Sequence, residues 1–340
     1  MYKKVSNLLM KTALIIFFML NYGLCCSQTI KVAINANQVM YDDINHKAFV
    51  IVNTNDDKYS NNLIQINPYT GGVEKSLKLN GNPFDMKFTP DFKHIYISYT
   101  AFSRIEKVNV KEFKIVESIN LGAYNAIDFV VSPVNENYLF VVLGEETHPR
   151  KTVMYKNGKL QSKIIDDFST SISALSIKSD GKWIYGHNGV STGYQGYLIE
   201  VLDDGLKRDS IEWKYMIVSF GKIKNNNDLI YGRGGDVVDP FSKNMPITVA
   251  QMPVLNLTRF NSAFEYSKIH NSYVFAHQTE YHPFISFFHG SYYNYLGSVK
   301  LEVSTDYIYD IDVINEKHFI LISMEPENDY KHVLLLHTIE

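Results

Sequence analysis

The sequence predicts an all-β fold, a seven-bladed β-propeller of four-stranded blades, and two observations carry this prediction. A short apolar run, rich in aromatic residues, recurs along the chain at a nearly constant spacing. Turn residues and further strand-like segments flank each run, so one repeat holds about four strands. Four strands in roughly 45 residues is the size of one propeller blade.

The recurring run has seven copies, each centred on a large or branched apolar residue. The centres are Val50, Tyr96, Phe140, Tyr185, Tyr231, Phe275 and Ile320. Their successive spacings are 46, 44, 45, 46, 44 and 45 residues. A β-sandwich, the alternative all-β fold, does not require a constant period, so the spacing favours the propeller.

The second repeat shows the strand pattern within one unit. Phe84, Met86 and Phe88 alternate with polar residues, which predicts a first strand with these three side chains on its buried face. A turn with Pro90 follows, because proline presets the backbone angle that such turns need. Further strands are expected at 94–99, 104–110 and 113–119.

The same repeat carries a family resemblance in its turn and its second strand. Residues 81–122 resemble the YVTN-type β-propeller repeat, with Thr89-Pro90-Asp91 at the place of its Ser-Pro-Asp-Gly turn. The segment 95–99 stands at the place of its Leu-Tyr-Val-Thr-Asn strand. Repeats five to seven depart from this pattern, since their turns lack the proline. The resemblance implies a propeller, a fold that serves binding proteins and a few enzymes alike.

The two ends of the chain are expected to build one blade together. The segment 333–338 (VLLLHT) stands where the third strand of the seventh repeat belongs, and no outer strand follows it. The segment 29–34 (TIKVAI) precedes the first repeat and has the length and alternation of a strand. We therefore predict that this N-terminal strand completes the last blade, which covers an open sheet edge.

Residues 1–27 predict a signal peptide, which leaves 28–340 as one propeller domain. Three lysines accompany a nine-residue apolar run at 12–20, and Cys25 and Ser27 occupy the small-residue positions of a cleavage site. The run is far shorter than the ~20 residues that span a bilayer. We expect an exported protein, periplasmic or secreted, with no transmembrane segment in the mature chain. Lipid attachment at Cys25 or Cys26 is the alternative.

Cleavage would change the charge and the cysteine content. Three lysines and no acids would leave, so 33 − 3 = 30 basic residues would face 36 acidic ones, a net charge of −6. Both cysteines would leave too, and with them any disulfide or cysteine metal site. A net negative surface without runs of basic and aromatic residues argues against a nucleic-acid partner.

The sequence predicts no catalytic residue, metal site or cofactor. The residues His277, Glu280, His282 and His289 cluster along the chain but match no recognised zinc-ligand spacing, so we interpret them as hydrogen-bonding side chains. The glycine-rich segment 232–236 follows a strand but opens no helix, which indicates a turn rather than a phosphate cradle.

Four aspartates are candidate ligand-binding residues because inner strands line the channel of a propeller. Asp85 and Asp128 each precede the proline of their turn by five residues, and Asp42 aligns with Asp312 in DDINHKAF and DVINEKHF. Carboxylates at one mouth of the ring could coordinate a hard cation or bind a cationic or polyhydroxylated ligand. The alternative is that they accept hydrogen bonds from neighbouring backbone.

An aromatic loop is the second candidate surface, where a protein or glycan partner could dock. Its residues are Tyr281, Phe287, Phe288, Tyr292, Tyr293 and Tyr295. The alternative is that this loop packs onto the ring.

Three functional classes follow from these observations. The leading class is an exported binding or interaction propeller that does no chemistry. The alternative is a lactonase-type enzyme, a lactone hydrolase or cyclase, which similar propellers build from polar residues at one mouth of the ring. The third is a structural component of the cell envelope.

Overall fold

The computed structural model describes residues 28–339 except 146–147, 167–170, 190–194, 214–222, 233, 243–246, 253–262, 279–281, 302–306 and 325–331. The described residues form 28 strands and no helix. The strands group into seven four-stranded sheets, each of which is one blade. None of the described residues form a helix that could cross a membrane. The predicted all-β fold of seven four-stranded blades is confirmed.

Each blade runs from an inner strand at the channel to an outer strand at the rim. Blades 1 to 3 consist of β2 (Ala36–Asp42), β3 (Lys47–Val52), β4 (Asn62–Ile66) and β5 (Val73–Lys78); β6 (Pro83–Phe88), β7 (His94–Tyr99), β8 (Phe102–Asn109) and β9 (Lys114–Asn120); and β10 (Asn125–Val131), β11 (Tyr138–Glu145), β12 (His148–Lys156) and β13 (Lys159–Leu160). Blades 4 and 5 consist of β14 (Ala174–Ile177), β15 (Trp183–His187), β16 (Gly196–Leu202) and β17 (Gly205–Trp213); and β18 (Ile223–Asn226), β19 (Leu229–Gly232), β20 (Asp236–Asp239) and β21 (Ile247–Gln251). Blades 6 and 7 consist of β22 (Ala263–Ser267), β23 (Ser272–Gln278), β24 (Pro283–His289) and β25 (Tyr295–Lys300); and β26 (Tyr307–Val313), β27 (His318–Met324), β28 (His332–Thr338) and β1 (Gln28–Val32).

The ring closes through the N-terminal strand, as predicted. β1 pairs antiparallel with β28, from Gln28 opposite Thr338 to Val32 opposite Leu334. Thr29 Oγ1 lies 2.8 Å from His337 Nδ1, which adds a side-chain contact to the pairing. The strand ends at Val32, two residues earlier than the predicted boundary.

The core lies between the blades and is built from the repeated run. All seven repeat centres are buried, with at most 1% of their surface exposed. They lie in the second strand of each blade, which packs between two neighbouring sheets. The period of about 45 residues is thus the spacing of the core layers around the ring.

A β-bulge alters the inner strand of blade 2. The register of β6 shifts between Pro83 and Asp85, so Phe84 is left 43% exposed while Asp85 is 2% exposed. The expectation that Phe84 is buried is therefore wrong. The other two residues of the predicted face are covered: Met86 is fully buried and Phe88 is half-buried. A bulge adds one residue to a strand and so reverses the alternation on one side of it. The inner strands β2, β10 and β26 have similar bulges.

Candidate functional site

A cavity of about 660 Å³ occupies the channel at the centre of the ring. The inner strands of all seven blades contribute to its lining. Its volume falls within the range of roughly 300–1,000 Å³ that is typical of small-molecule sites. The channel is therefore large enough to hold a small ligand.

The described lining carries more carboxylates than ammonium groups. Its charged residues are Asp85, Lys87, Asp128, Lys224, Glu265, Asp310 and Asp312. The aromatic side chains of Phe84, Phe88 and Phe92 border them. Five acids and two lysines give the cavity a net negative potential, which repels anions.

The first charged group lies on blades 2 and 3. Lys87 Nζ lies 3.1 Å from Asp85 Oδ2, and Asp85 is nearly buried while the Lys87 side chain is 29% exposed to the channel. Burial alone would lower the pKa of Lys87, but the charges of Asp85 and Asp128 outweigh it and raise that pKa. Lys87 is therefore a cation at neutral pH. Asp128 Oδ2 accepts a hydrogen bond from the backbone N–H of Leu175 at 2.7 Å.

The second charged group lies on blades 5, 6 and 7. Lys224 Nζ donates to Glu265 Oε2 at 2.6 Å. Burial alone would lower the pKa of Lys224, but Glu265, Asp310 and Asp312 outweigh it and raise that pKa. Burial and the charge of Glu265 raise the pKa of Asp312 to about 8, against the opposing effect of Lys224 and two backbone hydrogen bonds. Asp312 therefore titrates near neutral pH.

Two of the four predicted aspartates, Asp85 and Asp128, occupy equivalent positions in their blades, and Asp310 occupies the same position in blade 7. Asp85 is opposite Ser98 and Asp128 is opposite Val142, two places that are equivalent in their repeats. Asp310 is opposite Ile322, which is the same place in blade 7. All three directly follow the bulge of their inner strand and line the channel cavity.

The expected equivalence of Asp42 and Asp312 is wrong. Asp42 is opposite Lys47, whereas Asp312 is opposite Ile320. Eight residues separate Met40 from its partner Phe49 in blade 1, but five separate Val313 from its partner Phe319 in blade 7. Measured from these pairs, the first hairpin of blade 1 is therefore three residues longer than that of blade 7, which misled an alignment by sequence alone.

Asp42 is the last residue of β2, directly before the turn, and is not among the described residues that line the cavity. Its Oδ1 accepts hydrogen bonds from the backbone N–H groups of Ile44 at 3.0 Å and Asn45 at 2.9 Å. Asn315 has this role in blade 7, where its Oδ1 accepts from the N–H groups of Lys317 and His318. The buried Asp42 carboxylate thus closes a turn, a use of aspartate that is common at such positions.

Polar side chains of the inner strands also connect neighbouring blades. Asp310 Oδ2 accepts a hydrogen bond from Val39 N–H at 3.1 Å, and Asp312 Oδ2 accepts one from Tyr41 N–H at 2.6 Å. Gln38 Oε1 accepts one from Met86 N–H at 2.7 Å. Asp128 and Asp312 therefore accept hydrogen bonds from neighbouring backbone, which was the alternative to ligand binding. Both residues also line the cavity.

Sequence reasoning missed four charged residues of the lining. Lys87, Glu265 and Asp310 lie between apolar or aromatic residues of their inner strands, whereas Lys224 lies in the polar strand IKNN. The sequence shows these charged residues, but it does not show whether each side chain points into the channel or toward a neighbouring blade. The bulge before Asp310 decides its direction, and alternation does not reveal a bulge.

The described aromatic candidates differ in burial and are not all exposed on one loop. Tyr292 is 78% exposed at the turn between β24 and β25. Tyr293 is half-buried, with its ring 5.8 Å from that of Tyr273. Phe288 lies in β24 and is fully buried, and Tyr281 lies outside the described residues. None of the described aromatic candidates lines the channel cavity.

The described histidines of the same region make local hydrogen bonds. His277 Nε2 lies 2.7 Å from Ser286 Oγ, and His289 Nδ1 accepts from the backbone N–H groups of Ser291 and Tyr292. The register places His277 and His289 at opposite ends of their blade, so they do not converge. Glu280, the acid of this predicted cluster, lies outside the described residues.

Comparison with known proteins supports the fold and adds no function. No family model matches the chain, and no curated protein matches it. The chain is similar to the solved β-propeller domain of Cps50 (Swd1) from Myceliophteria thermophila, with a TM-score of 0.63. The match covers 91% of this chain and 98% of that one at 10% sequence identity. Such a likeness shows the propeller fold alone, and the YVTN repeat type stays a prediction.

Proposed function

We propose that this protein is an exported binding propeller whose channel holds a small polyhydroxylated ligand of neutral or positive charge. The single observation that supports this proposal is the belt of carboxylates and ammonium groups around the channel cavity. A hydroxyl group both donates and accepts hydrogen bonds, so a polyol or sugar can satisfy carboxylates and ammonium groups side by side. The excess of carboxylates disfavours anionic ligands.

The rigidity of the channel wall favours binding as its role. Asp128 and Asp312 are held by backbone N–H groups, and Lys224 is held by Glu265. Groups that are fixed before a ligand arrives lose little entropy on binding. The exposed ring of Phe84 adds an apolar face of the kind on which sugar rings stack.

A lactonase is less well supported by the same lining. Such an enzyme would need Glu, His and Arg to converge at one face, and the described lining contains neither histidine nor arginine. Asp312 could exchange a proton with a bound ligand, but the nearby Lys224 is paired with Glu265, and the surrounding acids raise its pKa, so its ammonium is no nucleophile. We therefore place the protein among binding propellers, whose fold commonly serves as an interaction scaffold.

Thermal unfolding of the purified chain with monosaccharides, amino sugars, metal cations and lactones tests this proposal. At least one sugar should raise the unfolding midpoint, because a ligand stabilises the state that binds it. The double variant Asp85→Asn, Asp128→Asn should keep the fold and weaken binding by about tenfold or more, since it removes charge but keeps shape. Asp42→Asn is the matched control, because this carboxylate closes a turn outside the channel and should affect stability alone.

Two outcomes would contradict the proposed binding site. If no compound raises the wild-type midpoint, the channel holds no small ligand of these classes, and the region 281–295 becomes the place to seek a partner. If a lactone is consumed, the protein is an enzyme.

Export is a separate part of the proposal and rests on the sequence of residues 1–27. The charged, apolar and small-residue regions of this segment predict cleavage before Gln28. Gln28 is also the first described residue of the strand that closes the ring, so cleavage before it would keep all of β1 as described. Mass spectrometry of the N-terminus after expression with this segment tests it, and a soluble chain that still begins at Met1 would contradict it.

A further inference from the structure

Three metal-ligating side chains meet where blades 2 and 3 adjoin, outside the channel lining. Asp91 lies in the turn after β6, His94 begins β7, and Glu136 lies in the turn between β10 and β11. One ligand atom of each residue lies within 4.8 Å of those of the other two. His94 and Glu136 belong to different repeats, so no local ligand spacing in the sequence indicates this cluster.

The distance between two of these groups fits a shared metal ion better than a hydrogen bond. His94 Nδ1 lies 3.6 Å from Glu136 Oε2, beyond the ~2.7–3.2 Å of an N–H···O hydrogen bond. Two ligands of one tetrahedral zinc ion, each bound at ~2.1 Å, are about 3.4 Å apart. Both atoms are shielded from solvent and have no hydrogen-bond partner among the described residues. A buried pair of this kind is costly unless a cation or a proton lies between its atoms.

Neighbouring groups fix the other atoms of the two carboxylates. Lys107 Nζ lies 3.8 Å from Glu136 Oε1, which leaves Oε2 directed at His94. Asp91 Oδ1 accepts hydrogen bonds from Thr89 Oγ1 at 2.8 Å and from Lys93 N–H at 3.1 Å. Asp91 Oδ2 lies 2.9 Å from Lys93 Nζ, so this oxygen would exchange a surface ion pair for the metal ion.

We propose that Asp91, His94 and Glu136 bind one divalent transition-metal ion of the zinc class, which joins blades 2 and 3. One imidazole and two carboxylates suit zinc, whereas magnesium and calcium prefer oxygen ligands alone. Water would supply the fourth ligand of the ion. The Asp91 side chain is 36% exposed, so it has room to turn from Lys93 toward the ion.

Blade 7 contains the matched arrangement without the charges. Asn315 and His318 have the spacing of Asp91 and His94, and Asn315 Oδ1 likewise accepts from the backbone N–H two residues on. His318 Nδ1 lies 2.9 Å from Asn315 Oδ1, so this imidazole already has a partner. The ring of Tyr69 from blade 1, the next blade of the ring, lies 5.1 Å from the His318 ring, whereas the next blade gives His94 the carboxylate of Glu136. The same local fold therefore supplies a control histidine.

Zinc titration of the purified chain, with any affinity tag removed, tests the proposal by calorimetry and by thermal unfolding. Zinc should bind with one-to-one stoichiometry and raise the unfolding midpoint, while magnesium should do neither. The variants His94→Gln and Glu136→Gln should each weaken zinc binding at least roughly tenfold, which is the scale of effect expected around metal sites. His318→Gln should leave it unchanged. Circular dichroism in EDTA checks that each variant is folded.

Several results would overturn this proposal. Wild-type protein whose midpoint does not respond to zinc at 100-fold excess would show that His94 and Glu136 do not share a metal ion. Equal losses in His94→Gln and His318→Gln would mean that zinc binds elsewhere. Unchanged affinity in Glu136→Gln would remove the link between the two blades. None of these results bears on the channel, because none of the three residues lines it.

Discussion

Blades 2 and 7 have the same local design but are assembled in different ways. Both begin with an inner strand in which an aspartate follows a bulge, and both carry a histidine at the start of the second strand. Blade 2 is one continuous stretch, 83–120, whereas blade 7 takes its outer strand from 28–32 at the other end of the chain. The repeat alone therefore does not close the ring.

The seam beside blade 7 shows how closure is secured. Asp310 and Asp312 both accept backbone N–H groups of blade 1, at Val39 and Tyr41. Joining the ends of a long chain costs loop entropy, which grows slowly with length. The joint between the chain ends therefore relies on strand pairing and on side-chain hydrogen bonds to the backbone of the next blade, in addition to apolar packing.

Removing the closing strand should have the largest effect on this comparison. A chain that begins at Ala33 lacks β1, so Ile30 and Val32 leave the core and the apolar edge of β28 is exposed. We expect the free energy of unfolding to fall by about 3–5 kcal/mol, since burial of each aliphatic side chain contributes ~1.5–3 kcal/mol. Urea unfolding of chains that begin at Gln28 and at Ala33 measures it. Equal stability of the two chains would show that β1 does not hold the ring closed.

A pair of glycines tests the fit of the closing strand more finely. Gly71 and Gly122 both have positive φ, +72° and +76°, so an alanine at either is strained by about 1 kcal/mol. A methyl group at Gly71 would also overlap the side chain of Val32 in β1, while nothing lies within 4 Å of one at Gly122. We expect Gly71→Ala to cost about 2–4 kcal/mol, because overpacking adds ~1–3 kcal/mol to the strain.

The double variant Gly71→Ala, Val32→Ala controls the glycine experiment. Removing the Val32 methyl groups takes away the overlap, so the double variant should lose less stability than the sum of the single changes. Thermal and urea unfolding of the four proteins give this coupling. Equal losses in Gly71→Ala and Gly122→Ala would show that β1 does not press on the turn at Gly71.

The sequence predicted the fold better than the site for a physical reason. The seven buried centres are spaced by the geometry of the core, and that spacing survives even where the turns differ. The direction of an inner-strand side chain depends on bulges, as Phe84 and Asp85 show, and apolar alternation does not reveal them. The partner of a channel residue lies in another repeat, as with Asp310 and Val39, so spacing along the chain does not give it.

The smallest expected effect on the comparison is a pH dependence at the closing seam. The raised pKa of Asp312, about 8, means that the folded protein holds a proton which the unfolded chain releases near pH 4. The stability that this proton contributes is present below pH 4 and is lost as the pH rises through 8. Burial lowers the pKa values of His318, His332 and His337, so these residues act in the opposite direction. They lower the stability of the fold only as the pH falls below about 6.5, the pKa of an unperturbed histidine.

Urea unfolding between pH 7 and pH 9 therefore isolates Asp312 from these histidines. The wild-type free energy of unfolding should fall by about 1 kcal/mol over this range, since Asp312 shares its titration with neighbouring charges. Asp312→Asn keeps an oxygen for Tyr41 N–H and should remove most of the fall. Asp128→Asn is the matched control, because its oxygen accepts the N–H of Leu175 at a seam within the continuous chain. If Asp312→Asn keeps the wild-type slope, the proton is held elsewhere and the closing seam differs from the others in strand pairing alone.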